Sequence, residues 1–491
     1  MVNPKPFARL IAAEIDGRAQ NIRYRQTQFH RLQSVLVQHI DKIKSAIRTD
    51  SGNATEEVQA EICYALKELR THYLSLNLEE DLEREYRVAN GKDNEDATRG
   101  TGIVYVIPGT HTMFFSAISA LTAAVAAGNC VIIELTKNTM SLPPLLRQIL
   151  SQALDADTFA ISEERPDAAF LEKVLVVAQT SIASLPAQSL VSPATARTVA
   201  VVDRTADIQD AAKALVTARF AFGGRSTYSP DVVLVQEFAM KSFVEAIIHH
   251  SSKYLSGPAG EERQKAVNPR RSSPGLSILD LAHKDPSARV LVSGSGWGIV
   301  EVHDRASPLL QKKVEEKVLV LHPVTSLDDA IDYSASIGIA TIAATYAFAD
   351  ARSAKYLTQF IDAHVSYINH VPVEMLIGPA LPLTPPSNRS HSRDTRYPTA
   401  LFQLPRPQFV SQSSNAAIVR KFLDRSGSPE AIAAWREAVA PLPGTGQRAG
   451  HSIGFFERGM ITGGIITLSL FVATVSTLGY YSFSLVRGWR R

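Results

Sequence analysis

The chain has 491 residues, 45% hydrophobic and 20% charged, long enough for two large α/β domains. A net charge of only +3 gives no global attraction to nucleic acid or to a polyanionic substrate. Two cysteines, Cys63 and Cys130, leave no basis for a disulfide framework or a zinc-type Cys/His cluster, and point to a reducing, cytosol-facing compartment.

The N-terminus, Met1 to Arg9, has charged and proline residues but no apolar core, so it does not read as a secretory signal. The sequons at Asn53 and Asn388 are then taken as chance. From Phe7 to Leu76 the apolar residues recur at helical spacing. Leu32, Val35, Leu36, Ile40 and Ile43 mark one stretch, and Val58, Ile62, Leu66 and Leu69 the next. Long amphipathic helices are predicted here, with Cys63 packed inside the second pattern. The charged run Glu79 to Arg87 is a solvated face or connector.

The texture changes at Gly102. The apolar run Ile103 to Ile107, closed by Pro108 and Gly109, predicts a strand, and Ala117, Ile118, Leu121 and Val125 predict the helix after it. A turn at Gly128-Asn129, a strand from Cys130 to Ile133 and a helix after Pro143-Pro144 follow, then strands at Val174 to Val177 and Val199 to Val202. Such alternation predicts a parallel sheet covered by helices. A second set comprises a helix from Asp207 to Phe220, a turn at Gly223-Gly224, a strand from Val232 to Val235 and a helix from Phe243 to Tyr254. After the loop-prone stretch Gly257 to Pro274 come strands at Arg289 to Val292, Ile299 to Val302 and Val318 to Leu321. A helix from Leu327 to Ser336 and strands at Thr341 to Phe348 and Val365 to Ile368 complete the set. Gly294-Ser295-Gly296-Trp297-Gly298 imitates a dinucleotide fingerprint, but a strand rather than a helix follows it, so it reads as a turn between strands. Arg270-Arg271 reads as an exposed loop pair.

Ser426 to Val439 is predicted helical and Pro441 to Gly450 a flexible linker. No charged residue occurs between Arg458 and Arg487. A helix of roughly 28 residues spans about 40 Å, enough to cross a bilayer with tilt. Tyr480 and Tyr481, then Arg487, Trp489, Arg490 and Arg491, fit an interfacial end. The spacing Gly459 to Gly463 also fits a close helix contact.

Several stretches, in order, resemble the aldehyde dehydrogenase superfamily, especially its fatty aldehyde dehydrogenase branch, over Phe7 to Phe409. Gly102 to Thr110 is similar to the first cofactor-domain strand and its turn, and Ala126 to Ile133 to the strand that leads to the cofactor lysine. Gly224 to Val235, with Ser229-Pro230-Asp231, resembles the segment around the nucleophile. Ser307 to Gln311, Val318-Leu319 and Asp328 to Ile331 resemble the segment flanking a cofactor-contacting glutamate, and Asn369-His370 stands where the family has Asn-Asp. The resemblance implies an α/β fold with a Rossmann-type cofactor domain, an α/β catalytic domain and a C-terminal transmembrane helix. It divides the chain at 1–202 (N-terminal helices and cofactor-binding-like domain), 203–372 (catalytic-like domain), 373–412 (return and oligomerisation segment), 413–450 (helix and linker) and 451–491 (anchor).

The family's chemistry takes a thiolate nucleophile, an asparagine and a backbone N–H for the oxyanion, a glutamate to activate water, and NAD or NADP held by a lysine and a second glutamate. Carried over by the resemblance, the nucleophile falls on Thr227, between Ser226 and Tyr228, and the oxyanion asparagine on Thr112, after His111. The cofactor lysine falls on Glu134 and the cofactor glutamate on Lys313, both reversed in charge. Ser189 to Arg197, where the water-activating glutamate belongs, has no acid. Gln179 to Ser184 has no glycine at the cofactor-helix entry, and Leu381 to Tyr397 lacks the family's glycine-rich closing motif. His111, His370 and Asp231 are conceivable as a replacement acid/base set but are read as structural.

The expectation is a catalytically impaired or non-catalytic aldehyde dehydrogenase-like protein, with NAD(P) binding doubtful, tail-anchored in a membrane and facing the cytosol. The endoplasmic reticulum is the first choice of membrane. It would act as a scaffold, a binder of lipophilic ligands, or a homo- or hetero-oligomeric partner of active family members, which pair through a strand near Phe402 to Val410. The alternative is an active NAD(P)-dependent oxidoreductase that oxidises a lipophilic or fatty aldehyde to the acid, through Thr227 or Ser226 or by non-covalent hydride transfer. An adaptor with no ligand is the third reading.

Overall fold

The computed structural model describes residues 7–182, 186–255, 277–294, 296–337, 342–382, 395–424, 428–447 and 454–489. The stretch Gly257 to Pro274, with Arg270-Arg271, the sequon at Asn388, and most of Leu381 to Tyr397 lie outside them.

The N-terminal periodicity forms helices as expected: α1 (Ala8–Ile15), α2 (Ile22–Gln38), α3 (Ile40–Ser51) and α4 (Thr55–Leu74). Asn21 caps α2 by accepting the Tyr24 N–H at 3.1 Å, and Gly52, at φ 66°, ends α3 in the left-handed conformation that glycine adopts without strain. Helix α5 (Leu78–Tyr86) buries nothing and is the solvated connector predicted. Cys63 departs from expectation. The buried stripe of α4 is Val58, Glu61, Ile62, Ala65, Glu68, Leu69 and His72, and Cys63, one residue past Ile62 and so about 100° round the helix, is exposed.

Strand β1 (Thr98–Gly100) leads into β2 (Ile103–Ile107), α6 (Met113–Ala126), β3 (Cys130–Glu134) and α7 (Leu142–Ala153). Then come β4 (Phe159–Ser162), α8 (Ala168–Leu171), β5 (Leu175–Ala178) and β6 (Ser189–Val191). Strands β2 to β6 make a five-stranded parallel sheet in the order β4-β3-β2-β5-β6. Every residue of β3 is buried, as befits a strand covered on both faces. Helix α6 buries nearly its whole surface, its alanines and serines allowing α4 to approach one side.

The chain continues through β7 (Arg197–Val202), α9 (Ile208–Phe220), β8 (Val232–Gln236), α10 (Glu237–Leu255), α11 (Ile278–Lys284), β9 (Ala288–Gly294) and β10 (Trp297–Val302). Next are α12 (Pro308–Gln311), β11 (Lys317–Val324), α13 (Leu327–Ser336), β12 (Ile342–Phe348), α14 (Ala351–Phe360) and β13 (Ala363–Ile368). Seven strands form a second sheet in the order β13-β12-β7-β8-β11-β10-β9, parallel except for the antiparallel pair β9–β10. The glycine-rich segment after Val292 therefore joins two antiparallel strands, as read from sequence, although Ser295 is outside the described residues. Strand β14 (Gln403–Pro405) pairs antiparallel with β1 of the same chain, Leu404 opposite Arg99.

One continuous core joins α2, α4, α6 and α7 to facing sides of both sheets, with Phe114, Phe115, Leu121, Val235 and Ile299 among its members. A second apolar cluster covers the other face of the larger sheet under α11 to α14, and a third, with Leu10 and Leu171, covers the outer face of the smaller sheet. The chain divides into two compact units, Met1–Ser411 and Gln412–Arg491. The second contains α15 (Ser414–Asp424), α16 (Pro429–Ala438) and α17 (Phe455–Trp489). Among the described residues Glu457–Tyr480 of α17 is the one helix long and apolar enough to cross a membrane.

Candidate functional site

The smaller sheet reverses its strand order between β2 and β5, and in open parallel sheets a ligand crevice lies at the carboxyl ends of such a pair. Here the crevice is bridged by one side chain. Gln179, directly after β5, accepts the Gly109 N–H at 2.9 Å and donates to Ser116 O at 2.8 Å and to Tyr397 Oη at 3.1 Å. Among the described residues no helix stands between β5 and β6. The usual seat of a dinucleotide diphosphate, a helix N-terminus after a glycine-rich turn, is therefore not formed by these residues.

The turn after β2 leads to His111 and Thr112. Thr112 is the residue preceding α6 and sits at φ 43°, ψ 57°, a left-handed conformation costly for a β-branched side chain. Its Oγ1 accepts the Gly378 N–H at 2.6 Å, so the threonine, on which the resemblance places the oxyanion asparagine, is tied down rather than aimed into open space. Gly378 has no room for a side chain: a Cβ there would lie 2.4 Å from the Phe115 ring. His111 Nε2 bonds Leu376 O at 2.9 Å, and burial pushes its pKa down to about 4.

Thr227 lies in the turn between α9 and β8, 9% exposed. Gly223 and Gly224 make that turn, and a Cβ on Gly224 would meet Glu316 O at 2.5 Å. The Thr227 carbonyl accepts the Thr198 hydroxyl at 2.7 Å. Among the described residues no acid or base hydrogen-bonds the Thr227 hydroxyl, and the neighbouring Ser226 Oγ accepts the Tyr228 N–H at 3.3 Å. The nearest acid in sequence, Asp231, is fully buried and already engaged: it accepts the Thr198 and Val314 N–H groups, both at 2.8 Å, and the Lys313 ammonium at 3.5 Å. Lys313 also donates to Ala196 O at 2.5 Å; burial lowers its pKa, while Asp231 opposes that shift. Arg219, whose pKa burial lowers to about 10, completes the cluster 4.0 Å from Asp231. Lys313 is thus part of an internal ion cluster beneath the Thr227 turn.

Glu134 ends β3 and is equally occupied. It accepts the Tyr105 hydroxyl at 2.8 Å and two Arg165 N–H groups at 3.0 and 2.9 Å. Of the sequence-derived positions, Thr227, Asp231 and Lys313 come together, whereas Glu134 belongs to the edge of the smaller sheet. His370 is exposed, with Nδ1 on Ile368 O, and Asn369 holds a left-handed turn by bonding both backbone groups of Ala349. No hydrogen bond joins His111, His370 and Asp231.

Glu61, Glu68 and Arg396 are buried groups that the sequence analysis does not single out. Glu61 accepts the Phe114 and Phe115 N–H groups at 3.1 and 3.3 Å at the start of α6. Glu68 accepts the Arg396 N–H at 2.5 Å. The Arg396 guanidinium donates to the carbonyls of Glu374, Ile377 and Pro379, and lies 5.8 and 5.9 Å from the ring centres of Phe115 and Tyr228. The helical spacing of Val58, Ile62 and Leu69 was the available signal, since it places positions 61 and 68 on the buried stripe.

Residues 12–165 match the family described as "Aldehyde dehydrogenase family". The chain is 23% identical over 341 residues to "Aldehyde dehydrogenase, dimeric NADP-preferring" of Rattus norvegicus, covering 65% of this chain and 74% of the relative. It is 22% identical over 349 residues to "Aldehyde dehydrogenase family 3 member B1" of the same organism, covering 65% and 72%. Among solved structures it is similar to the substrate-bound state of Staphylococcus aureus AldH, with TM-score 0.63 and 18% identity over 87% of this chain and 98% of the other. Lactaldehyde dehydrogenase from Escherichia coli is similar with TM-score 0.56 and 15% identity, over 73% and 81%.

Proposed function

Given that the chain belongs to the aldehyde dehydrogenase superfamily, we propose that it is a membrane-anchored member whose aldehyde-oxidising chemistry is lost or strongly impaired. The observation that carries this reading is Thr227, which stands where the resemblance places the attacking thiol and whose hydroxyl has no acid or base on it among the described residues. An alcohol is too weak an acid to attack a carbonyl without an adjacent base. The internal pairing of Glu134 with Arg165, and of Lys313 with Asp231, supports the further reading that NAD(P) is not held in the family's manner. The apolar helix Glu457–Tyr480 supports a tail anchor with the folded unit facing the cytosol, the endoplasmic reticulum being the first membrane to examine. The remaining roles are those of a scaffold, a binder of lipophilic ligands, or a partner of active family members or of a second copy.

The test uses the full chain in detergent or in vesicles, with medium- and long-chain aldehydes and NAD or NADP. No reduced cofactor is expected, and no rise in melting temperature with either nucleotide, since only a ligand of the native state stabilises it. Turnover above the uncatalysed rate overturns the proposal.

A second reading, oxidation of a lipophilic aldehyde through Thr227 or Ser226 or by direct hydride transfer, draws on the preserved frame and on relatives named as NADP-preferring dehydrogenases. Any activity that survives both Thr227→Ala and Ser226→Ala eliminates its covalent form.

A further inference from the structure

Helices α15 and α16 carry an unusual burden of exposed apolar surface. On α15, Ile418, Val419, Phe422 and Leu423 are all exposed, Leu423 at 78%. On α16 the large exposed apolar residues are Ile432 and Trp435, with Val439 just past its end. At about 100° per residue, Ile418, Phe422, Val419 and Leu423 share one half of α15, while Arg420, Asp424 and Lys421 share the other. The same arithmetic on α16 puts Ile432, Val439, Trp435, Ala431, Ala438 and Ala434 on one side, with Arg436, Glu437 and Glu430 opposite; of that apolar side Ala431 alone is buried. The groove between the helices is lined by Ser414, Ala417, Arg420, Lys421, Pro429 and Glu430 and by none of the large apolar residues just named, so the apolar halves are not turned toward it. In these two helices the one buried side chain among the described residues is Ala431.

Helices of 11 and 10 residues are marginal in water by themselves. Their two apolar halves need a cover. The chain itself indicates which cover is at hand. Only residues 439–454 separate α16 from α17, a reach of at most about 55 Å. Two short helices with one apolar half, a tryptophan on that half and arginine or lysine at its margins are suited to the headgroup layer, where the ring and the long cationic stems straddle the boundary between lipid and water. We infer that α15 and α16 form a membrane-surface element, lying in the interfacial layer with both apolar halves in lipid. This rests on the reading of α17 as an anchor, and the experiment separates the two.

The chain has three tryptophans, Trp297, Trp435 and Trp489. Trp297 is buried in the core, so Trp489→Phe leaves Trp435 as the tryptophan open to lipid. Full-length Trp489→Phe protein is reconstituted in phosphatidylcholine–phosphatidylserine vesicles whose acyl chains carry bromine either just below the glycerol or near the chain end. Carbonate extraction of the same sample tests the anchor. The expected result is retention by the membrane, with Trp435 emission shifted to shorter wavelength and quenched more by the shallow bromine than by the deep one. In a Trp435→Phe, Trp489→Phe background, Phe422→Trp is expected to report the same depth for α15. Retained protein with no lipid quenching at either position overturns the inference, whether a second copy, another protein or the folded unit covers the helices instead. Quenching by added vesicles in a chain that carbonate releases keeps the inference and removes the anchor; release without quenching removes both.

Discussion

Arg165 grips Glu134 with two N–H donors, at 2.9 and 3.0 Å, while the Tyr105 hydroxyl reaches the same carboxylate from within the sheet. The charge reversal at position 134 is thereby a local solution, not a vacant post. A buried carboxylate is tolerated where its oxygens are satisfied, and here one phenol and one guanidinium do so.

Glu134→Lys, which puts there the lysine that the resemblance implies, sets two cations against each other and strands the Tyr105 hydroxyl. Losing one partner of a buried pair costs roughly 3–5 kcal/mol. Arg165 is 41% exposed, and solvent screening reduces the expected loss to about 2 kcal/mol. Urea unfolding should show this loss, and Glu134→Lys combined with Arg165→Glu should recover part of it. Neither variant is expected to gain a thermal response to NAD or NADP.

The buried acids predict an unusual pH dependence. Burial pushes Glu61 and Glu68 up to about 7, against the pull of the Phe114 and Phe115 N–H groups on the first and of Arg396 on the second. A carboxyl whose pKa is higher in the folded chain holds more protons folded than unfolded. Its contribution is intact below the unfolded value of 4.5 and is lost as pH rises toward 7. His72 has the opposite slope: burial lowers it to about 4, so stability from that residue is lost as pH falls below 6.5. Glu61→Gln keeps an acceptor for the two N–H groups and removes one titration. It should raise the unfolding free energy by about 2–3 kcal/mol at about pH 8 and by little at about pH 5, by urea melts at both. An equal gain at both pH values would contradict the assignment.

Thr112 offers a third test. Its left-handed backbone suits asparagine far better than a β-branched residue, and the strain is of order 1 kcal/mol or more. Thr112→Asn should raise the melting temperature, because an amide oxygen can take over the Gly378 N–H while the backbone relaxes. Thr112→Ala relieves crowding but leaves that buried N–H without its acceptor, a loss of about 1–2 kcal/mol, so it should melt lower than wild type.

Much of this architecture was legible because buried parallel strands are nearly all apolar: β2, β3, β8 and β11 stand out as short runs of valine, isoleucine and leucine. Helix α14 was missed because it buries only Ala354 and Leu357, too few to set a period, and β6 because three residues make no pattern. Cys63 departs from its expected place because it follows the buried Ile62 in sequence but lies about 100° from it round α4. The positions of Thr227, Thr112, Glu134 and Lys313 came from family resemblance. What they touch did not, since Gly378, Arg165 and Asp231 are distant in sequence from the residues they hold. Nor does any local pattern reveal that Gln179 closes the crevice between β2 and β5.

The same closure argues that restoring single groups will not restore oxidation. Thr227→Cys supplies sulfur, and adding Thr112→Asn supplies the amide for the oxyanion. The combined variant still has no carboxylate between Ser189 and Arg197 to activate water. It also retains the Gln179 bridge from Gly109 to Ser116 across the crevice between β2 and β5. A thioester route needs attack, hydride transfer and hydrolysis in turn, and the last two lack their partners even when the first is rebuilt. The double variant is therefore expected to form no reduced cofactor from aldehydes with NAD or NADP, followed by absorbance over many protein equivalents. Steady production of reduced cofactor would show that the crevice between β2 and β5 opens to a nucleotide in solution and that positions 227 and 112 together separate this chain from an active dehydrogenase.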